Sequence, residues 1–144
     1  MCIRDSLNTA RMYLAGFGSA TSAIAGNGID PSASPPTYLQ NKVEKWDGSS
    51  WTEVAEYNTA RVEMLQGQGS SNAAGIVAGG GTTGSNQIAN TEIWNGTSWT
   101  EANDLATARR MGGQIGSTTN GMYVGGKFWF RLFHDCRTLG IGFS

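Results

Sequence analysis

Apolar residues in this chain come in short runs, never at helical spacing. Ala23-Ile24-Ala25, Ile76-Val77-Ala78 and Met122-Tyr123-Val124 each stop at glycine. Before each lies a mixed run of apolar and small residues closing in Gly-Ser, at Gly18-Ser19, Gly69-Ser70 and Gly116-Ser117. No window of about 11 residues carries a convincing helical period, and glycine at this density would cost a helix about 1 kcal/mol per residue. Short runs broken by turn residues every 8–12 positions instead signal strands. The pattern predicts strands over 11–18, 22–26, 41–47 and 50–54, then over 61–69, 74–79, 89–95 and 98–102. The chain reads as all-β.

The pattern also repeats. Trp46-Asp47-Gly48-Ser49-Ser50-Trp51-Thr52-Glu53 returns as Trp94-Asn95-Gly96-Thr97-Ser98-Trp99-Thr100-Glu101, an offset of 94 − 46 = 48 residues. Each copy is a hairpin signal, an Asp-Gly or Asn-Gly turn between tryptophans. A second element, Leu7-Asn8-Thr9-Ala10-Arg11, recurs as Tyr57-Asn58-Thr59-Ala60-Arg61 and as Leu105-Ala106-Thr107-Ala108-Arg109. Its arginines are spaced 61 − 11 = 50 and 109 − 61 = 48 residues apart. Four strands per repeat give a complete unit over 11–54, a second over 61–102 and a partial third over 109–126.

Gly79-Gly80 after an apolar strand, then Glu92-Ile93-Trp94, Trp99 and Arg109, resembles the kelch repeat. That pattern has a double glycine, an acidic-x-aromatic strand, a tryptophan and a downstream arginine, in repeats of about 50 residues. The resemblance covers about 7–127. It departs at Gly26-Asn27-Gly28, where the double glycine is interrupted, and in Trp where the third strand usually has Tyr. It implies a kelch-like β-propeller fragment of about two and a half four-stranded antiparallel blades. A propeller closes with about 4–8 blades, so the remaining blades of the same propeller are the first expected partners. Trp46-Asp47 lacks a Gly-His partner, and the abutting Asp47-Gly48 breaks the Asp-box spacing of sialidases.

Composition narrows the function more than the fold. Ten basic and eleven acidic residues leave a formal charge of −1, which attracts neither a phosphate backbone nor anionic lipid. No apolar run approaches the ~20 residues of a membrane helix, so neither nucleic acid nor membrane insertion is expected. Between Leu7 and Lys127 there is no Cys and no His; Cys2, Cys136 and His134 lie in the terminal pieces. Those pieces lack the repeat. Met1–Ser6 resembles an adapter-like, non-native leader of the kind carried by metagenomic gene fragments, and 128–144 reads as an off-pattern tail, a frame slip or a truncated end. The glycines at 79–84 are not a phosphate loop, because no Gly-Lys-Ser/Thr or helix follows. Asn95-Gly96-Thr97 matches a glycosylation acceptor by chance, its residues being turn chemistry.

The repeated residues are expected to be structural. Trp46, Trp51, Trp94 and Trp99 should pack in and between blades, and Arg11, Arg61 and Arg109 should act as forks on backbone carbonyls or acidic side chains. Glu44/Glu92 and Glu53/Glu101 are their candidate partners. Specificity should sit where the repeat fails, in the connections Gly26–Gln40 and Gly79–Ala89, which differ in length and composition. Asp30, Tyr38, Thr82, Thr83 and Asn86 are the candidate ligand-facing residues. No catalytic, cofactor-binding or metal-binding residue is assigned. The function expected is therefore a non-catalytic recognition module for a protein or glycan, not an enzyme. Two alternatives stand beside it. One is the propeller domain of an enzyme similar to galactose oxidase, whose copper ligands would lie outside this stretch. The other is a structural spacer in a surface or virion fibre. Localisation is left open, leaning towards an extracellular or virion surface.

Overall fold

A computed structural model describes residues 6–34, 37–64, 67–82 and 86–127 of the chain. These residues form ten strands and no helix. The first sheet is β1 (Ala15–Ser19), β2 (Ser22–Gly26), β3 (Val43–Trp46) and β4 (Trp51–Val54). The second is β5 (Gln68–Ser71), β6 (Ala74–Ala78), β7 (Thr91–Trp94) and β8 (Trp99–Ala102). A hairpin of β9 (Arg110–Gly116) and β10 (Gly121–Lys127) follows. Both sheets run in simple sequence order with every neighbouring pair antiparallel. The off-pattern tail over 128–144, and the leader apart from Ser6, lie outside the described residues.

The first strand of each unit is shorter than the pattern predicts: β1 begins at Ala15 rather than 11, and β5 at Gln68 rather than 61. Tyr13 and Glu63 sit at φ of 57° and 58°, in the left-handed region, between an isolated rung at Met12 or Val62 and the strand proper; Met111, with φ of 57°, takes the same conformation inside β9. Backbone shape also explains the interrupted double glycine. Asn27 (φ 60°) occupies the left-handed slot filled by Gly79 (φ 67°), and asparagine tolerates that region better than most residues. The following position has φ of 102° at Gly28 and 107° at Gly80, where a side chain is strained; it is glycine in both.

Each hairpin turn is closed by one backbone hydrogen bond around two residues, from Asp47 N to Ser50 O and from Asn95 N to Ser98 O (both 3.3 Å). Trp46 pairs with Trp51 and Trp94 with Trp99, leaving Asp47–Ser50 and Asn95–Ser98 between them. In each loop the first side chain closes the turn. Asp47 Oδ1 accepts from the amides of Ser49 (2.8 Å) and Ser50 (2.9 Å). Asn95 Oδ1 accepts from those of Thr97 and Ser98, both at 2.9 Å. These hydrogen bonds, Ser50 foremost, pull the exposed Asp47 carboxyl down to about 2. Ionised Asp47 is thus favoured in the folded chain. Its contribution to stability is complete above its ordinary value of 3.8 and lost as pH falls through about 2. Its side-chain carbon resonance should titrate with a midpoint near 2; a midpoint at the ordinary value would mean that the turn does not hold the carboxylate. Since Asn95 makes the same backbone contacts without charge, Asp47→Asn should keep the turn and abolish this pH dependence in urea unfolding.

The core lies between the two sheets. Phe17, Tyr57, Trp94 and Trp99 are buried there with Ile24, Val43, Met64 and Val77. Trp99 stacks at a tilt on Tyr57 (centroids 4.2 Å) and on Trp94 (5.1 Å), and meets Phe17 edge-on at 6.3 Å. The Phe17 ring lies across Gly67 just before β5, Gly69 of β5 and Gly75 of β6. A Cβ on any of the three would come within 2.1–2.6 Å of a ring carbon, so only glycine lets the ring down onto that surface. Trp46 and Trp51 keep the same mutual stacking (5.4 Å) but are only half-buried. The prediction that all four tryptophans are core is therefore corrected: only the pair that receives Phe17 and Tyr57 is closed off.

Candidate functional site

Two repeated constructions organise the end of the molecule where the connections gather. The first is a buried carboxylate socket. Glu44 on β3 accepts from the Asn8 amide (2.7 Å), the Thr9 amide (3.4 Å) and Arg11 Nη2 (2.6 Å), while Arg11 Nη1 donates to Lys42 O (2.6 Å). Glu92 on β7 accepts from the Asn58 amide (2.8 Å), the Thr59 amide (3.3 Å) and Arg61 Nη2, while Arg61 Nη1 donates to Asn90 O (2.7 Å) and Gly79 O (3.1 Å). The side chains of Arg61 and Glu92 have no exposed surface. Burial pulls the Arg61 guanidinium down, and the facing Glu92 charge opposes that. The arginines pair within their own unit, with the third-strand glutamates. Glu53 and Glu101 take no part: Glu53 meets Lys42 at the surface (3.6 Å), and Glu101 is exposed.

The second construction carries the candidate loops. After each arginine the chain forms one rung with the connection between second and third strands. Met12 and Ile29 exchange backbone hydrogen bonds (3.0 and 2.9 Å), as do Val62 and Gly81 (2.9 and 2.7 Å). Gly28 N then donates to Arg61 O (3.1 Å), and Gly80 N to Arg109 O (2.9 Å), tying each connection to the next unit. Tyr13, Glu63 and Met111 follow, all left-handed (φ 57°, 58° and 57°) and linked in a row: Glu63 N donates to Tyr13 O (3.3 Å) and Met111 N to Glu63 O (2.8 Å). Non-glycine residues rarely adopt this conformation, and such outliers cluster at functional sites. The Tyr13 ring is 60% exposed. Arg110 Nη1 reaches Glu63 Oε2 at 2.6 Å, a half-buried pair beside the row.

The structure brings the candidate residues together only within each loop. Asp30 N donates to Tyr38 O (2.9 Å), and Asp30 Oδ1 accepts from the Ser32 hydroxyl (2.6 Å) and amide (2.8 Å), which holds its carboxyl below the ordinary value. Thr82 N donates to Asn86 O (2.8 Å), and Asn86 is exposed. Thr83 and the Pro35-Pro36 pair lie outside the described residues. The row Tyr13–Glu63–Met111 joins the stems of the two loops. Sequence reasoning passed over these three and Arg110, although the position two past each repeated arginine changes its side chain every time.

A separate concavity of about 620 Å³ runs along β1, β5 and β9. Glycines, small residues, Gln68 and Gln114 make up most of its described lining, and none of the described lining residues is charged. Among the described residues no three His, Cys, Asp or Glu side chains come together to hold a metal ion. No described helix is long and apolar enough to cross a membrane.

Fold and site together define an all-β chain of repeated four-stranded antiparallel sheets with loops gathered at one end. No protein-family model matches it, nor does any curated protein. Among solved structures it is similar to that of YjhT, with a TM-score of 0.65 and 17% identity over 85% of this chain. The likeness is one of fold, and the chain spans 40% of the length of that structure.

Proposed function

We propose that this chain is part of a kelch-like β-propeller, each four-stranded sheet being a blade, and that its loop-bearing face is a non-catalytic recognition surface for a protein or glycan. The observation that carries the reading is the row Tyr13, Glu63, Met111. The same costly backbone conformation is kept in three successive units while the side chain it presents changes from phenol to carboxylate to thioether. A scaffold that holds position and varies chemistry is suited to recognition. The exposed Tyr13 ring, the Glu63–Arg110 pair and the polar loops of Asp30, Tyr38 and Asn86 supply an aromatic surface with donors and acceptors around it. The remaining blades of the propeller complete the face.

The test is to screen the chain against immobilised glycans and peptides, and to repeat the screen with Tyr13→Ala and Tyr38→Ala. A defined ligand set should be retained, with Tyr13→Ala weakening it about tenfold or more, as for a central aromatic contact. Retention untouched by either substitution would move the binding surface elsewhere.

A further inference from the structure

The Asn95-Gly96 turn holds an electrophile and a nucleophile one residue apart. Asn95 is exposed, and its Oδ1 accepts from the Thr97 and Ser98 amides, both at 2.9 Å. Those two donors draw electron density from the side-chain carbonyl carbon. Its Nδ2 donates to Ser98 Oγ at 3.3 Å. The next amide belongs to glycine, so no side chain shields it, and Gly96 N has no hydrogen-bond partner among the described residues. Asn27-Gly28 is the same dipeptide in the opposite setting. Asn27 is fully buried, and Gly28 N is committed to Arg61 O at 3.1 Å. The earlier copy of the turn shows that an acid fits where Asn95 sits: Asp47 Oδ1 accepts from the Ser49 and Ser50 amides at 2.8 and 2.9 Å.

We propose that Asn95 is a site of self-modification, deamidating to aspartate in the folded chain with the Thr97 and Ser98 amides as its oxyanion hole. In the first step Gly96 N gives up its proton to solvent and attacks Asn95 Cγ. Negative charge gathers on Oδ1, where the two amides already point. The Cγ–Nδ2 bond then breaks, and Nδ2 leaves as ammonia with a proton returned from solvent. In the second step water adds to Cγ of the five-membered imide, charge again gathers on Oδ1, and the bond to Gly96 N breaks. Gly96 N recovers its proton and Cγ becomes a carboxylate; one water is consumed and one ammonia released. Addition to the other imide carbonyl, at the Asn95 backbone carbon, would give iso-aspartate with an extra carbon in the main chain. No described donor reaches Asn95 O, so the turn favours the aspartate product. That product takes the formal charge from −1 to −1 − 1 = −2. Held ionised as Asp47 is, it is a poor electrophile and does not close the ring again. The turn follows β7 and the candidate loop precedes it, so this chemistry stands whether or not the loop face binds a ligand.

The test sets the full chain beside a synthetic peptide of residues 93–98, too short to form the sheet. Both are held at mildly alkaline pH. The products at Asn95 are read by mass spectrometry, with aspartate and iso-aspartate separated against synthetic standards. The peptide, free of the turn, should give mostly iso-aspartate. In the chain aspartate should exceed iso-aspartate, shifting the product ratio by about tenfold or more, and Asn27 should convert at least about tenfold more slowly than Asn95. The proposal is overturned if Asn95 stays an amide in the chain while the peptide converts, if chain and peptide give the same product ratio, or if Asn27 keeps pace with Asn95. The comparison needs no variant, so nothing depends on a substituted chain folding.

Discussion

Glu92→Gln is expected to lower the unfolding free energy by about 3–5 kcal/mol, the range for breaking a buried ion pair by removing one partner. The substitution keeps the size and shape of the side chain, and an amide oxygen can still accept from the Asn58 and Thr59 backbones. What it removes is the charge facing Arg61, whose side chain has no exposed surface on which to be solvated. The loss therefore reports the stranded guanidinium more than the worth of the pair. Replacing both partners with apolar residues, Arg61→Met with Glu92→Leu, should recover part of it, giving a coupling term in a double-mutant cycle. Glu101→Gln, on the neighbouring strand but exposed, should change stability by no more than about 0.5 kcal/mol. Equal urea midpoints for Glu92→Gln and Glu101→Gln would contradict the socket as described.

Trp94→Ala should cost a similar amount, about 3–5 kcal/mol, for a different reason. Trp94 is 1% exposed, stacks on Trp99 and donates its indole N–H to Asn72 O at 2.8 Å. Truncation empties a site walled by β-sheet backbone that cannot collapse into the space. Trp46→Ala removes the same residue type from the same repeat position, where the ring is half-buried, and should cost about 1–3 kcal/mol. Chemical denaturation of the two variants side by side checks the ordering; a larger loss at Trp46 would reverse the burial assigned to the two faces.

Much of this was legible in the sequence because the repeat compares the chain with itself. The 48-residue offset aligned Glu44 with Glu92 and the two hairpins, and glutamates in register with arginines pointed to paired forks. Three things were not legible, each for a physical reason. The left-handed backbone at Tyr13, Glu63 and Met111 lies where the pattern predicts plain strand, and none of these residue types announces that conformation. The unequal burial of Trp46 and Trp94 depends on which face of its sheet meets a neighbour, while their local sequences are almost the same. The turn at Asp47-Gly48 was expected from its composition, but not that the Asp47 side chain would accept from both the Ser49 and Ser50 amides. Asp30, Tyr38, Thr82 and Asn86 lie in the connections that the sequence singled out, and the row that links the stems of those connections was not foreseen.

The placement of Phe17 has a consequence in time. Its ring belongs to the first sheet, but the glycine floor beneath it is complete only with Gly75, 75 − 17 = 58 residues later in the chain. At about 5–20 residues per second, a ribosome takes roughly 3–12 s to make that stretch. For the last 75 − 54 = 21 residues of that stretch, after β4 ends at Val54, the first sheet can form every one of its own hydrogen bonds and still present a bare aromatic ring. A nascent chain arrested between Val54 and Gly67 should therefore be captured by hydrophobic-binding chaperones, and one released past Ala78 should escape them.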